Sequence, residues 1–334
     1  MFPLPPSSKR LFQALDAYTP VPKSEEEARD FYPLHSALSD WKNALYGRLP
    51  REEYESGTWP ASPELLDAMR AALADQRGNY AGDELAYCLV RCGCRQAETI
   101  AGLSAWDAQL FRWSAAGLRA RDLLAKFAQI GIAGSPEPED LDRLDRCLLD
   151  PAAALAHYSS GNVTGTVLKG KTFLASLYSS GDHHDHVGLF EKMASHAGLG
   201  QQITNVRQTA MNDEDFTASA EAQLDGIVPD ALKKTAQFAD PETYWKMSFD
   251  VEGTSQTVFI PGSFAWMNDV ALALQFDALL ARLGRPERVL RFGAGRNEGD
   301  SFWGHYIIAE PRQFAALCGE LGIPLDPFTT AGQA

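Results

Sequence analysis

The chain has no stretch approaching the roughly 20 consecutive apolar residues of a membrane span. Its opening run, MFPLPPSSKR, is interrupted by prolines where a signal peptide would carry an apolar core. Both absences lead to the expectation of a cytoplasmic protein with no membrane partner. Cysteine is sparse and odd in number: Cys88, Cys92, Cys94, Cys147 and Cys318, in 334 residues without an export signal, are expected to be reduced thiols. Base is scarcer than acid. Acidic residues number 44 against 30 basic ones, a formal charge of −14, and a field of that sign repels a phosphate backbone, which argues against nucleic acid as a partner.

Motifs of catalysis are missing as well. There is no HExxH helix for zinc, no GxSxG nucleophile elbow, and no cysteine with a histidine at compelling spacing. The spacing Cys88-x3-Cys92-x-Cys94 is wrong for a redox or zinc pair and has no balancing second pair. The expectation is a protein that is not an enzyme, with no catalytic residues, no bound metal and no cofactor. A triad assembled from distant residues would draw on His157 or His305.

What is present is ordinary globular material, 45% hydrophobic and 22% charged, in a chain long enough for about two domains with separate cores. Residues 1–158 read as a helical domain. Ser24 and Glu27 have capping-box spacing, and Leu34, Leu38, Trp41 and Leu45 follow at helical spacing, with Pro33 as a kink or break. Ser62-Pro63-Glu64 opens a second helix over Leu65, Met69 and Ala72. Trp106, Leu110 and Trp113 form a third stripe, and Ser135-Pro136-Glu137 precedes Leu141, Leu144 and Leu148 in an acidic helix.

Small polar residues between Tyr158 and Gly165 read as a loop and a domain boundary. Residues 165–325 then read as an α+β domain, its antiparallel sheet built from hairpins with covering helices. Val167–Tyr178 and Ile203–Met211 look extended, and helices are expected from Asp182 and from Pro229. Trp245, Met247, Phe249 and Val251 alternate with polar residues, and Gly253-Thr254 turns the chain back into Thr257–Ile260. Leu272, Phe276, Leu279 and Leu283 line a long helix that Gly284 caps and Pro286 stops. A second hairpin pairs Arg288–Phe292 with Phe302–Ala309 across the loop from Gly293 to Asp300, and a last helix spans Pro311–Leu321.

Three places could carry function. Acid is densest in residues 201–250, nine acids against four bases, and includes Asp213-Glu214-Asp215. The glycine-rich turn brings Arg296, Glu298 and Asp300 together with Trp303, an aromatic flanked by charge of the kind that anchors interfaces. These seven residues are the candidate partner-binding set, with a small counter-patch at Arg282, Arg285, Arg288, Arg291 and Arg296. The run Asp182-His183-His184-Asp185-His186 concentrates metal-binding residue types, and His183 and His186 at i, i+3 share a helix face. Helix capping by Asp182, Asp185 at the positive helix end and exposed first-turn histidines that need no ligand are the stronger account of it. A metal-dependent hydrolase built on this cluster is the alternative reading.

The segment WKMSFDVEGTSQTVFIPGSFAWMNDVALALQFDALLARLGRPERVL, followed by DSFWGHYIIAE, resembles the C-terminal part of immunity proteins from bacterial toxin–immunity pairs, including those of type VI secretion. The resemblance covers roughly the last third of the chain and lies in the hairpin–helix–hairpin order and the tryptophan-bearing last strand. It implies a cytoplasmic protein that binds and neutralises a cognate secreted toxin, often a nuclease, by stoichiometric protein–protein inhibition. An acidic inhibitor suits a basic nuclease surface. A secretion-system adaptor or chaperone would use the same binding chemistry.

Overall fold

The computed structural model of the chain describes residues 7–16, 32–76, 80–155, 158, 160–176, 186–211, 214–233, 238, 241, 243–262, 268–292 and 303–325. Two compact units divide it: Met1–Asp122 with Glu137–Val163, and Leu123–Pro136 with Thr164–Ala334. The second unit thus takes in a short stretch, 123–136, from the helical part of the chain.

The first unit is built from helices α1 (Ser7–Asp16), α2 (Tyr32–Tyr46), α3 (Arg51–Ser56), α4 (Pro63–Gln76), α5 (Tyr80–Arg91), α6 (Ala97–Ala101), α7 (Ala105–Ala115), the start of α8 (Ala120–Gln129), α9 (Pro138–Leu149) and α10 (Pro151–Ala154). Helical periodicity explains their inner faces, since Leu34, Leu38, Trp41 and Leu45 of α2 and Leu65, Met69 and Leu73 of α4 are all buried. Pro33 neither kinks nor breaks α2: it lies in the first turn, where its missing N–H has no helical partner to lose. Ser62 caps α4 by accepting from the Leu65 N–H at 3.2 Å. The acidic helix α9 starts later than Ser135-Pro136 suggests, at Pro138 behind Glu137. The capping pair Ser24 and Glu27 lies outside the described residues.

Arg91, at the end of α5 and almost fully buried, gathers the ends of two short helices. Its guanidinium donates to the carbonyls of Tyr54, Glu55 (2.9 Å) and Gly57 (3.2 Å) around the end of α3, and of Ala152 (3.2 Å) and Ala153 (3.4 Å) on α10. These are carbonyls with no helical partner, at the negative ends of the helix dipoles. The same guanidinium lies 5.0 Å over the ring of Trp59.

The second unit holds two three-stranded antiparallel sheets, ordered β1-β6-β5 and β2-β3-β4. Their strands are β1 (Thr172–Ser176), β2 (Ile203–Met211), β3 (Thr243–Val251), β4 (Thr254–Gly262), β5 (Arg288–Phe292) and β6 (Trp303–Ala309). The α+β class read from the sequence holds, but the strands form two sheets where one was expected. Each predicted hairpin, β3-β4 and β5-β6, gains a third strand from earlier in the chain, β2 and β1 respectively. The turn of the first hairpin is tight, with both central residues at positive φ, Glu252 at 51° and Gly253 at 78°, the geometry that matches strand twist.

The helices of this part of the chain are α11 (Ser160–Val167), whose first half belongs to the first unit, α12 (His186–His196), α13 (Glu214–Asp225), α14 (Asp230–Lys233), α15 (Asp269–Arg282) and α16 (Pro311–Leu321). The polar segment read as a loop is helix α11. Ser160, Val163, Thr164 and Val167 recur at i, i+3, i+4 and i+7 and all are buried, so packing of that face overrides the weak helix propensity of serine, threonine and glycine. The helix expected from Pro229 is a single turn, α14.

Helix α15 is buried on nearly every side and carries three polar side chains into that apolar setting. Gln275 donates to the Phe259 carbonyl and to Gln223 Oε1, both at 3.0 Å. Gln223, on α13, accepts from the Phe259 N–H at 2.9 Å and donates to the Thr257 carbonyl at 3.0 Å. The two amides therefore occupy the outer edge of β4. Asp277 does the same for β5, accepting the Val289 N–H at 2.8 Å.

Replacing Gln275 by leucine keeps the volume but leaves the Phe259 carbonyl without its donor and takes from Gln223 Oε1 one of its two donors. Urea unfolding should then show a loss of about 1–3 kcal/mol with the slope unchanged. Burial pushes the Asp277 carboxyl up to about 6, with the Val289 N–H and Arg288 pulling against it. A folded-state value above the unfolded 3.8 means that this contribution is full at low pH and is lost as pH rises through about 6. Asp277→Asn keeps the acceptor for Val289 and cannot ionise. It should lose less stability than the parent between about pH 4 and about pH 6, and be more stable at neutral pH by at most ~3 kcal/mol; equal pH profiles in urea unfolding would refute this.

Candidate functional site

The acid-rich part of the sequence folds into α13 and α14. Glu214 and Asp215 occupy the first turn of α13, where negative charge complements the helix dipole. Ala220 and Leu224 turn inward and are buried, and Gln223 is tied to β4, so the opposite face is presented outward. Glu221 and Asp225 are exposed there. Helix α13 contains no basic residue. Lys233 bridges the exposed Asp225 (2.7 Å) and Asp230 (3.0 Å), and its hydrogen bond holds the Asp225 carboxyl below the usual range. The result is a strip of carboxylates on a helix whose orientation is fixed from below.

Of the seven residues picked from the sequence, Glu214 and Asp215 thus share one helix turn. Asp213, Arg296, Glu298 and Asp300 lie outside the described residues. Trp303 opens β6, paired in register with Ser176. Glu221 and Asp225 were missed, although their spacing was readable once a helix was assumed.

Of the arginine counter-patch, Arg296 lies outside the described residues and Arg282 is exposed, while each of the four described arginines has a partner within the chain. Arg282 donates to Gln256 (3.0 Å); Arg285 pairs with Glu287 (3.0 Å) and donates to the Ala197 carbonyl (3.2 Å). Arg288 donates to the carbonyls of Arg285 and Glu287 at 2.7 and 2.8 Å. Arg291 is buried with its guanidinium 5.8 Å over the Tyr306 ring. Beside it, fully buried Asp269 at the start of α15 accepts a 2.5 Å hydrogen bond from the Tyr306 hydroxyl. Burial raises the Asp269 carboxyl above its usual range, while Arg291, Tyr306 and the amides of Val270 and Asp269 oppose the shift. All three side chains are interior, so they hold α15 against β5 and β6 and offer no face to a substrate.

For the metal alternative, Asp182, His183, His184 and Asp185 lie outside the described residues. His186 is not the exposed first-turn histidine of the sequence reading: it is fully buried, its ring centroid 5.8 Å from that of Trp245. Among the described residues no three metal-ligating side chains gather. His157 and the His305 side chain lie outside the described set. The cysteines behave as small apolar residues: Cys88, Cys94 and Cys318 are buried, and burial raises the thiols of Cys92 and Cys147 and pushes Cys318 up to about 12. No helix among the described residues is long and apolar enough to cross a membrane. Compared with known proteins, the chain matches no family model, no curated protein and no solved structure.

Proposed function

We propose that this protein is a cytoplasmic immunity protein that neutralises a cognate toxin, a nuclease by preference, through stoichiometric protein–protein inhibition. The observation that supports the reading is the outward carboxylate face of α13, held in place by the Gln223 bonds to β4 and free of basic residues along the helix. A nuclease carries a basic surface for phosphates, and a pre-oriented row of carboxylates on a chain of net charge −14 meets it with steering at long range and little reorganisation on contact. Glu214, Asp215, Glu221 and Asp225 are the contact residues in this reading. An adaptor or chaperone would use the same face, and differs in leaving the partner's activity intact.

Co-expression with the toxin encoded beside it should restore growth, and the pair should co-purify with an affinity that falls as salt is raised. Reversing Glu214, Asp215 and Glu221 together to lysine should slow association several-fold while leaving the helical signal in circular dichroism unchanged. Binding that ignores both salt and these three charges would overturn the reading, as would a complex in which the toxin stays active.

A further inference from the structure

Helix α15 meets the two sheets of the second unit through bonds of different kinds. Toward β4 it is held by Gln275, whose amide does not titrate and donates to the Phe259 carbonyl at 3.0 Å. Toward the sheet β1-β6-β5 it is held by two carboxyls. Asp269 accepts from the Tyr306 hydroxyl on β6 at 2.5 Å, and Asp277, about two turns further along the helix, accepts from the Val289 N–H on β5 at 2.8 Å.

The setting of both carboxyls opposes their ionised forms. Asp269 is fully buried, and among the described residues no hydrogen bond reaches its Oδ1, so an ionised carboxyl there is a buried charge short of a donor. Arg291, which pairs with Tyr306 across β5 and β6, favours the ionised form, but burial outweighs it and raises the carboxyl. Asp277 is partly buried, with Arg288 3.9 Å away, and burial again prevails, pushing it up to about 6. Among the described residues, Arg288, Arg291 and Tyr306 are the charged or titratable groups that β5 and β6 bring to these carboxyls. Strand β4 carries none. On α12, His186 lies against Trp245, Glu191 and Lys192 are exposed, and His196 is lowered by burial and by Lys171. Arg282, in the last turn of α15, is tied to Gln256. A carboxyl raised above the ordinary 3.8 holds its proton more tightly in the packed junction than in an opened one. The packed junction is therefore favoured most in acid, and for Asp277 that advantage is lost as pH rises through about 6.

We propose that the junction of α15 with β5 and β6 is a proton-operated latch, shut while Asp269 and Asp277 carry protons and opening locally as they ionise, with Gln275 keeping α15 on β4 throughout. The latch is independent of the acidic face of α13 and stands whether or not the protein is an immunity protein. Native-state hydrogen exchange of the full chain, followed by NMR in low urea at about pH 5.5 and about pH 7.5 and corrected for intrinsic exchange rates, tests it. Amides of β5 and β6 should exchange through an opening that urea hardly promotes, since it uncovers little surface, and their protection should fall several-fold at the higher pH. Amides of β3 and β4 should show the full urea dependence of global unfolding. Asp269→Asn combined with Asp277→Asn keeps both acceptors and removes both titrations, so β5 and β6 should be equally protected at the two pH values. If the double variant fails to fold, Asp277→Asn alone should shrink the pH effect. Exchange of β5 and β6 with the same urea dependence as β3 and β4, or protection unchanged between the two pH values, would overturn the proposal, as would a pH effect that the variants leave intact.

Discussion

A helix buried on nearly every side must satisfy each polar atom it carries, and in the second unit that requirement falls on α15. Asp269, Gln275 and Asp277 stand among Val270, Leu272, Leu274, Phe276, Leu279 and Leu280, where an unmet donor or acceptor costs about 1–3 kcal/mol. Each finds its partner on a strand or beside one: Tyr306 on β6, Phe259 on β4, the Val289 N–H on β5. The apolar faces alone would let the helix slide along the sheets with modest loss. The three polar bonds admit one register, because a shift by a turn would strand all of them at once.

The same bonds decide which sheet edges remain available. Side-chain amides at Thr257 and Phe259 of β4 and a carboxylate at Val289 of β5 do what another strand would otherwise do, so those outward groups are met within the chain. Strand β2 receives no such plug from the described residues. Among the described residues it carries a bulge at one end and an exposed arginine, Arg207.

Much of this fold was legible because its signals are local. Alternation from Trp245 to Val251, the glycine turn and the Leu272–Leu283 stripe each lie within one element, and each is present in the structure as read. What was not legible depends on distant contacts. Nothing within residues 172–176 or 203–211 says that they complete different sheets, and one sheet is the simpler inference from hairpins alone. The segment from Ser160 misled for a definite reason: serine, glycine and threonine favour turns by intrinsic preference, and only burial of Ser160 and Thr164 reveals the helix. For the site, the density of acid was readable, whereas the bonds that tie up Arg285 and Arg288 within the chain were not. Their carbonyl and carboxylate partners come from the fold, so a charge count alone overstated the basic patch.

Gln223 connects these threads, because one side chain both closes the edge of β4 and fixes the rotation of α13. Without the bonds to Thr257 and Phe259, the described apolar side chains that turn inward, Ala220 and Leu224, would tolerate rotation about the helix axis. With them, the face bearing Glu221 and Asp225 has a fixed outward direction. A charged surface that is already oriented loses little conformational freedom when a partner arrives. A chain under pressure only to stay soluble could place its carboxylates on loops or on helices free to turn. Anchoring them from below through a buried amide pair, itself anchored by Gln275 on the central helix, is the arrangement expected where the direction of the charge matters as well as its sign.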